Sequence, residues 1–274
     1  MQFALKMLSK HLREVEKSAS NILGGNWRFF YNFNTKKYSL SKEKVIGELL
    51  VYLIISNNQN LYKRIFPEGY NLKRCFQRLQ KMEKASPNRY NNLKPNEKLA
   101  SLWIEFRGEI DECTTVRLLR QSELFLENDL YLCDYLDLYN FTHDFFGGFD
   151  FGNSRTIQSF SEEEQVEIID KSISNFYFAL LEHHIDLASE YAIVLLCWCK
   201  TKSTSSLIKK IEQLLEYFCT EIVEPFLAEY KDIDFQKDYK VYHTILVIGM
   251  FGSCLSYGYV SEENSTVNFG KSNK

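Results

Sequence analysis

The chain has 274 residues, of which 45% are hydrophobic and 25% charged, so it can bury a core and is not disordered. Its apolar stretches, such as Tyr191 to Cys199, are shorter than the roughly 18 residues of a membrane-spanning helix, and no secretory signal is visible. Seven cysteines without framework spacing favour reduced thiols, so we expect a cytoplasmic protein without membrane contact.

The net charge of -3 conceals an uneven distribution. Residues 1–100 hold 19 Lys and Arg against 7 Asp and Glu, a net +12, which leaves 14 against 29, a net -15, for 101–274. The halves can attract each other within one domain, or the first can offer a basic surface to an acidic partner. No nucleic-acid-binding motif surrounds the basic residues from Lys73 to Lys84, so nucleic-acid binding is not favoured.

Hydrophobic periodicity predicts helices along the first hundred residues. The first helix should stop at Gly24-Gly25, and the second should begin with Ser41 as its N-cap. A third helix is predicted over about 70–85, followed by a loop of turn-forming residues over 86–96.

Helices should resume after this loop. They are predicted over 97–107, 113–126, 130–146, 185–200, 205–224 and 235–257. A glycine-bearing segment, 147–159, should interrupt them, and Pro225 should stop or kink a helix. Ser161 before three glutamates predicts an N-cap, with a helix to about Glu182.

No segment shows the alternation of a β-strand, and no fixed-period repeat is visible. We therefore predict an all-α protein with a single multi-helix domain over 1–260 and a frayed polar tail over 261–274. Antiparallel helix pairs should build this domain, with an α/α toroid as one arrangement.

Polar residues in an aromatic setting mark the first candidate site. Thr142, His143 and Asp150 stand among five phenylalanines where a helix meets a glycine-bearing turn. His143 and Asp150 could face a pocket as an acid–base pair or as metal ligands. Alternatively, His143 is a core histidine bonded to a carbonyl and Asp150 caps the turn.

A second candidate lies where Asp186 and Glu190, four residues apart, share one face of an otherwise apolar helix. Paired carboxylates can hold a divalent metal or divide acid and base roles, or they form a solvated stripe. His243 lies on the most apolar helix, where a lone histidine is usually structural. If the helices meet, these residues form one mixed nitrogen and oxygen site with His143 and Asp150.

Cys197 and Cys199 are two residues apart on a helix and cannot chelate one metal there, so we expect core thiols. No P-loop, dinucleotide-binding glycine pattern, nucleophile elbow or His-Glu-x-x-His motif is present. The most easily recognised enzyme classes are therefore excluded.

Four short motifs resemble those of a functionally uncharacterised family of helical bacterial proteins associated with natural-product biosynthetic gene clusters. The first match is Gly-Glu-Leu within Lys44 to Leu49, and the second is Thr-His-x-x-Phe, Thr142 to Phe146, which leads to Asp-Phe-Gly at Asp150 to Gly152. The other two are Asp-Leu-x-x-Glu, Asp186 to Glu190, and Tyr-His-Thr, Tyr242 to Thr244. The chain departs from the family pattern at Gly147-Gly-Phe149. The resemblance implies a helical fold and a biosynthetic context, not a reaction.

The leading hypothesis is a tailoring enzyme for a small molecule or peptide. In this hypothesis His143 or His243 is the general acid or base, Asp150 assists it, and Asp186 and Glu190 orient it or bind a divalent metal. The rival hypothesis is a non-catalytic binding or scaffold protein whose polar cluster is a satisfied network and whose basic part docks an acidic partner. The oligomeric state is left open.

Overall fold

In a computed structural model of the protein, the described residues are 4–35, 40–69, 71–84, 95–106, 111–125, 134–201 and 206–257. Every regular element among them is helical, which confirms the predicted all-α class. No helix in these ranges is long and apolar enough to cross a membrane. The predicted tail over 261–274 and most of the predicted loop over 86–96 lie outside the described residues.

The helices fall into an N-terminal and a C-terminal series. The N-terminal series is α1 (Ala4–Gly25), α2 (Trp27–Thr35), α3 (Leu40–Ser56), α4 (Gln59–Ile65), α5 (Leu72–Lys84), α6 (Pro95–Phe106) and α7 (Glu112–Leu119). The C-terminal series is α8 (Tyr135–Phe149), α9 (Glu162–Leu181), α10 (Ile185–Thr201), α11 (Ser206–Phe218), α12 (Glu224–Glu229) and α13 (Tyr242–Ser253). Short 3₁₀ segments, Asp150–Gly152 and Arg155–Ser159, connect α8 to α9.

Two helix ends that depend on local capping agree with the sequence, whereas the predicted N-cap Ser41 is wrong, because α3 begins at Leu40 and Ser41 lies inside it. The first helix ends at Gly25, and α9 begins with a capping box in which Ser161 and Glu164 exchange hydrogen bonds with each other's backbone N–H. The short helices α2 and α4, of nine and seven residues, were not predicted, because helical periodicity is recognised over windows of about 11 to 18 residues.

The helix expected to end at Pro225 continues past it. A π-helical turn, Cys219–Val223, connects α11 to α12, and Pro225 lies in the first turn of α12. Proline is tolerated there because the first N–H groups of a helix have no intrahelical acceptor. Of the two predicted alternatives, a stop at Pro225 is therefore wrong, and a kink there stays a prediction.

The predicted break at Gly147 is also wrong, because α8 runs through both glycines to Phe149. A Cβ atom on Gly147 would lie 3.0 Å from the backbone of Leu99, and one on Gly148 would lie 2.6 Å from the side chain of Leu119. The two glycines therefore allow α6 and α7 to pack closely against α8.

Two helices form the centre of the core. On α10 every residue from Leu187 to Cys199 is buried, and on α13 every residue from Ile245 to Ser253 is buried or nearly so. Helix α13 packs against α1, α3 and α10, while α10 also packs against α8, α9 and α11. A helix that is apolar on all sides belongs inside a domain. Polar side chains at the exposed ends of these two helices consequently lie next to each other.

The cysteines agree with the prediction of reduced thiols. Those in the described residues are all free, and Cys197 and Cys199 are buried in the core as expected. Burial raises the pKa of the Cys199 thiol to about 12, so it stays protonated and unreactive at neutral pH.

Candidate functional site: a histidine and carboxylate cluster

The structure brings four of the five predicted site residues together. His143 comes from α8, Asp186 and Glu190 come from the first two turns of α10, and His243 lies in the first turn of α13. Each histidine forms an ion pair with a carboxylate of α10. The packing of α10 against both α8 and α13 explains the cluster, since it joins the faces that carry these side chains.

His143 and Glu190 differ more in solvent exposure than the partners of any other ion pair in the cluster. Nε2 of His143 lies 3.7 Å from Oε1 of Glu190, and the histidine side chain is 51% exposed while the glutamate is 3% exposed. The other carboxylate oxygen accepts a hydrogen bond from the buried hydroxyl of Thr142. Nδ1 of His143 has no hydrogen-bond partner within the described part of the chain.

Desolvation disfavours the charged form of the His143 ring, but the adjacent carboxylate outweighs it. The negative charge of Glu190, 3.7 Å away, raises the pKa of His143 above its ordinary value, while the positive charge of His243 acts in the opposite direction. The two rings therefore share one electrostatic environment, and the Glu190 charge favours the imidazolium form of His143.

Asp186 is the acceptor at the centre of the cluster. Its Oδ2 accepts a 2.5 Å hydrogen bond from the Tyr139 hydroxyl and lies 3.8 Å from Nδ1 of His243. Nδ1 of His184 lies 3.7 Å from its other oxygen. Although burial opposes ionisation, the contacts with His243 and Tyr139 lower the pKa of Asp186 to about 2. Asp186 is thus a fixed negative charge at any ordinary pH.

His243 lies between two carboxylates. Nδ1 faces Asp186, and Nε2 lies 3.9 Å from Oε1 of Glu48 on α3. Desolvation works against the charged ring, but these acidic neighbours raise its pKa above the ordinary value. The Tyr242 hydroxyl donates a 2.5 Å hydrogen bond to Oε2 of Glu48, which fixes that carboxylate. Both nitrogens of His243 therefore face carboxylates of the protein.

Glu48 was missed as a site residue, although it lies inside the Gly-Glu-Leu motif of the family resemblance. It is the single charged residue between Val45 and Ile55, a run that is otherwise apolar apart from Tyr52. A buried-helix pattern that contains one carboxylate is the signal that could have identified it. Tyr139 was also missed, and its signal is the spacing of four residues from His143 on the same helix face.

Asp150 lies apart from the cluster, at the C-terminal cap of α8 and seven residues beyond His143. Its Oδ1 accepts hydrogen bonds from Nε1 of Trp103 (2.7 Å) and from the Tyr257 hydroxyl (3.0 Å). Seven residues correspond to about 10 Å along a helix. Asp150 therefore joins α6 and the end of the described chain to the turn, and its part in a catalytic pair with His143 stays a prediction.

The carboxylates of α10 do not form a metal centre in the structure. Among the described residues, no group of three or more His, Cys, Asp and Glu side chains is arranged to hold a metal ion. Asp186 and Glu190 are instead engaged as acceptors by Tyr139 and Thr142. The arrangement suits proton transfer and charge stabilisation within the protein.

Comparison with known proteins adds no relative. No family model, no curated protein and no solved structure matches the chain. The resemblance to a biosynthetic family therefore stays a prediction, and the functional argument depends on the geometry of the cluster.

Proposed function

We propose that the protein is an enzyme that acts on a small molecule or peptide by general acid–base catalysis, with His143 as the residue that transfers the proton. One observation carries this proposal: a half-exposed imidazole, whose Nδ1 has no hydrogen-bond partner among the described residues, lies beside the buried carboxylate of Glu190. A histidine that is held at one nitrogen and accessible at the other is the usual form of a general acid or base.

Glu190 holds the ring and stabilises its charged form. Since Nε2 of His143 faces Oε1 of Glu190, a proton can be exchanged with substrate at Nδ1 while the ring orientation is kept. The raised pKa of His143 favours the imidazolium form, which can donate a proton as a general acid. The Thr142 hydroxyl donates a hydrogen bond to Glu190, which fixes the position of the carboxylate beside the His143 ring.

His243 has a different part in this proposal. It is less exposed than His143, and carboxylates of Asp186 and Glu48 flank both of its nitrogens. The two carboxylates raise the pKa of this ring and hold it in place, so it supports the cluster instead of exchanging protons with substrate. We therefore assign His143 as the catalytic residue and His243 as a positioning residue.

The family resemblance supports a tailoring step in bacterial natural-product biosynthesis. The test is replacement of the gene in the producing cells by the variant His143→Gln, followed by mass spectrometry of cell extracts. We expect the loss of one metabolite and the accumulation of its precursor. The matched control is His11→Gln, because His11 also lies between two carboxylates, Glu216 and Glu224, but outside the cluster. An unchanged metabolite profile from a folded His143→Gln protein would make the proposal wrong.

One observation favours the rival function of a scaffold for an acidic partner. Helix α5 presents Lys73, Arg74 and Lys81 to solvent, although Arg74 also donates a hydrogen bond to the backbone carbonyl of Glu68. A scaffold should tolerate His143→Gln but lose its function when Lys73 and Lys81 are both replaced by glutamate. The same metabolite comparison, made with this double variant, separates the two functions.

A further inference from the structure

A buried carboxyl on α8 contacts the turn that follows α7. Asp144 is 1% exposed, and its Oδ2 accepts a 3.0 Å hydrogen bond from the backbone N–H of Glu123 in this turn. Its Oδ1 is buried and has no hydrogen-bond partner among the described residues. A charged carboxylate in this position would lack a donor for one of its oxygens, which costs free energy. The neutral carboxylic acid therefore suits this position better than the carboxylate.

The surroundings of Asp144 favour its protonated form. Burial raises the pKa of Asp144 from 3.8 to about 7, and the hydrogen bond from Glu123 opposes this rise only in part. Two charged side chains act in opposite directions: the carboxylate of Glu123, on the turn, raises the pKa, and the ring of His143, on α8, lowers it. Asp144 therefore holds its proton over about three pH units in which an exposed aspartate is ionised.

Two apolar side chains of the turn are packed in its closed position. Leu124 is completely buried, and the ring of Phe125 stacks on that of Phe160 with 5.1 Å between the ring centroids. Phe160 belongs to the connection between α8 and α9. Separation of the turn from α8 therefore exposes apolar surface, so the contact at Asp144 controls a hydrophobic patch as well as a hydrogen bond.

We propose that this turn, residues 120–125, is a pH-sensitive device: it separates from α8 with release of the Asp144 proton to solvent, and protonation of Asp144 closes it again. Once separated, the carboxyl contacts water and ionises as an ordinary aspartate. Between about pH 4 and pH 7 the closed turn therefore holds one proton more than the open turn, and the ratio of open to closed turns rises about tenfold per pH unit. Above about pH 7 both forms are ionised and the ratio is constant. The opening does not require the proposed catalytic role of His143.

Hydrogen exchange of the Glu123 amide, followed by NMR, measures the opening. This N–H has Asp144 as its acceptor in the closed turn, so it is protected until the turn separates from α8. In the wild type, we expect the protection factor, corrected for the intrinsic exchange rate, to fall by about tenfold per pH unit between pH 5 and pH 7 and then to level off. In Asp144→Asn, which keeps an acceptor for Glu123 but carries no proton, the protection factor should not change with pH.

Asp150→Asn is the matched control, because Asp150 is also a carboxyl of the α8 end whose pKa is raised by burial, but its partner is Trp103. This variant should keep the pH dependence of the Glu123 amide. The amide of Leu195, inside the buried helix α10, reports opening of the whole fold. A constant wild-type protection factor, the same slope in Asp144→Asn, a lost slope in Asp150→Asn, or exchange at Glu123 as slow as at Leu195 overturns the inference.

Discussion

The half-exposed ring of His143 lies 3.7 Å from the carboxylate of Glu190, which is almost completely removed from solvent. Burial of a carboxylate costs free energy unless the group has partners. Glu190 has two of them, the ring of His143 and the hydroxyl of Thr142. The proton affinity of His143 therefore depends on a residue that no substrate needs to touch.

Replacement of Glu190 by Gln should lower the pKa of His143, since the carboxylate charge is the main cause of its increase. The measurement is an NMR pH titration of the His143 Cε1 proton. The control Glu216→Gln removes a carboxylate near His11 and should leave the His143 titration unchanged. An unaltered pKa in Glu190→Gln would show that the pair has no electrostatic coupling.

The same pair predicts a pH dependence of stability. A histidine whose pKa is raised on folding contributes stability that is complete below about pH 6.5, its unfolded value, and is lost as the pH rises through the folded value. The difference in unfolding free energy between wild type and Glu190→Gln should therefore shrink above neutral pH.

Asp186→Asn should reduce the free energy of unfolding by about 2 kcal/mol at pH 7, because the pKa of Asp186 falls from 3.8 to about 2 on folding. The contribution of a carboxylate with a lowered pKa is present above about pH 4 and is lost as the pH falls toward 2. Urea denaturation of wild type and Asp186→Asn measures the loss of unfolding free energy at pH 7 and the smaller loss at pH 3. The exposed Asp232, replaced by Asn, should change stability by less than about 0.5 kcal/mol.

Local signals in the sequence were sufficient for several features of the fold. The Ser161 cap of α9 and the glycine end of α1 depend on residues within one turn, so the sequence alone identifies them. The course of α8 through Gly147 depends instead on the close approach of α6, a contact between residues about fifty positions apart. Such a contact leaves no local pattern.

The predicted site residues also include some that the sequence could group and one residue, Asp150, whose partners it could not identify. His143, Asp186, Glu190 and His243 could be grouped because each is polar in an apolar helix, and buried polar groups require one another as partners. Asp150 satisfied the same criterion, but its partners are Trp103 and Tyr257, which the sequence gives no means to identify.

Asp150→Asn should be tolerated and should remove a pH-dependent loss of stability. Burial raises the pKa of Asp150 to about 6, so its ionisation destabilises the fold as the pH rises through that value. Asparagine keeps an acceptor for Trp103 and Tyr257 and also suits the left-handed backbone, where Asp150 has a φ of 45°. Between pH 4 and pH 7 the stability of the Asp150→Asn variant relative to wild type should increase, by up to about 3 kcal/mol.

Thermal or urea unfolding over this pH range measures that effect, and the His143 titration provides a second readout. Because Asp150 lies outside the cluster, Asp150→Asn should leave the pKa of His143 unchanged. Asp150→Ala removes the acceptor and should cost about 1 to 3 kcal/mol. A shift in the His143 titration with the Asp150→Asn variant would contradict the separation of Asp150 from the site.

Gly152→Ala should be among the most destabilising single substitutions in the described chain. Gly152 has a φ of 80°, and a Cβ atom there would lie 2.7 Å from Cβ of Cys197 on the buried helix α10. Gly69→Ala is the matched control, because Gly69 has a φ of 71° with no atom within 4 Å of the added Cβ. Gly69→Ala should lose only the free energy of backbone strain, about 1 to 2 kcal/mol. In Gly152→Ala the clash with Cys197 should add about 1 to 3 kcal/mol to that loss. Urea denaturation compares the two variants, and equal losses would show that Cys197 moves aside and that the turn after α8 does not depend on close contact with α10.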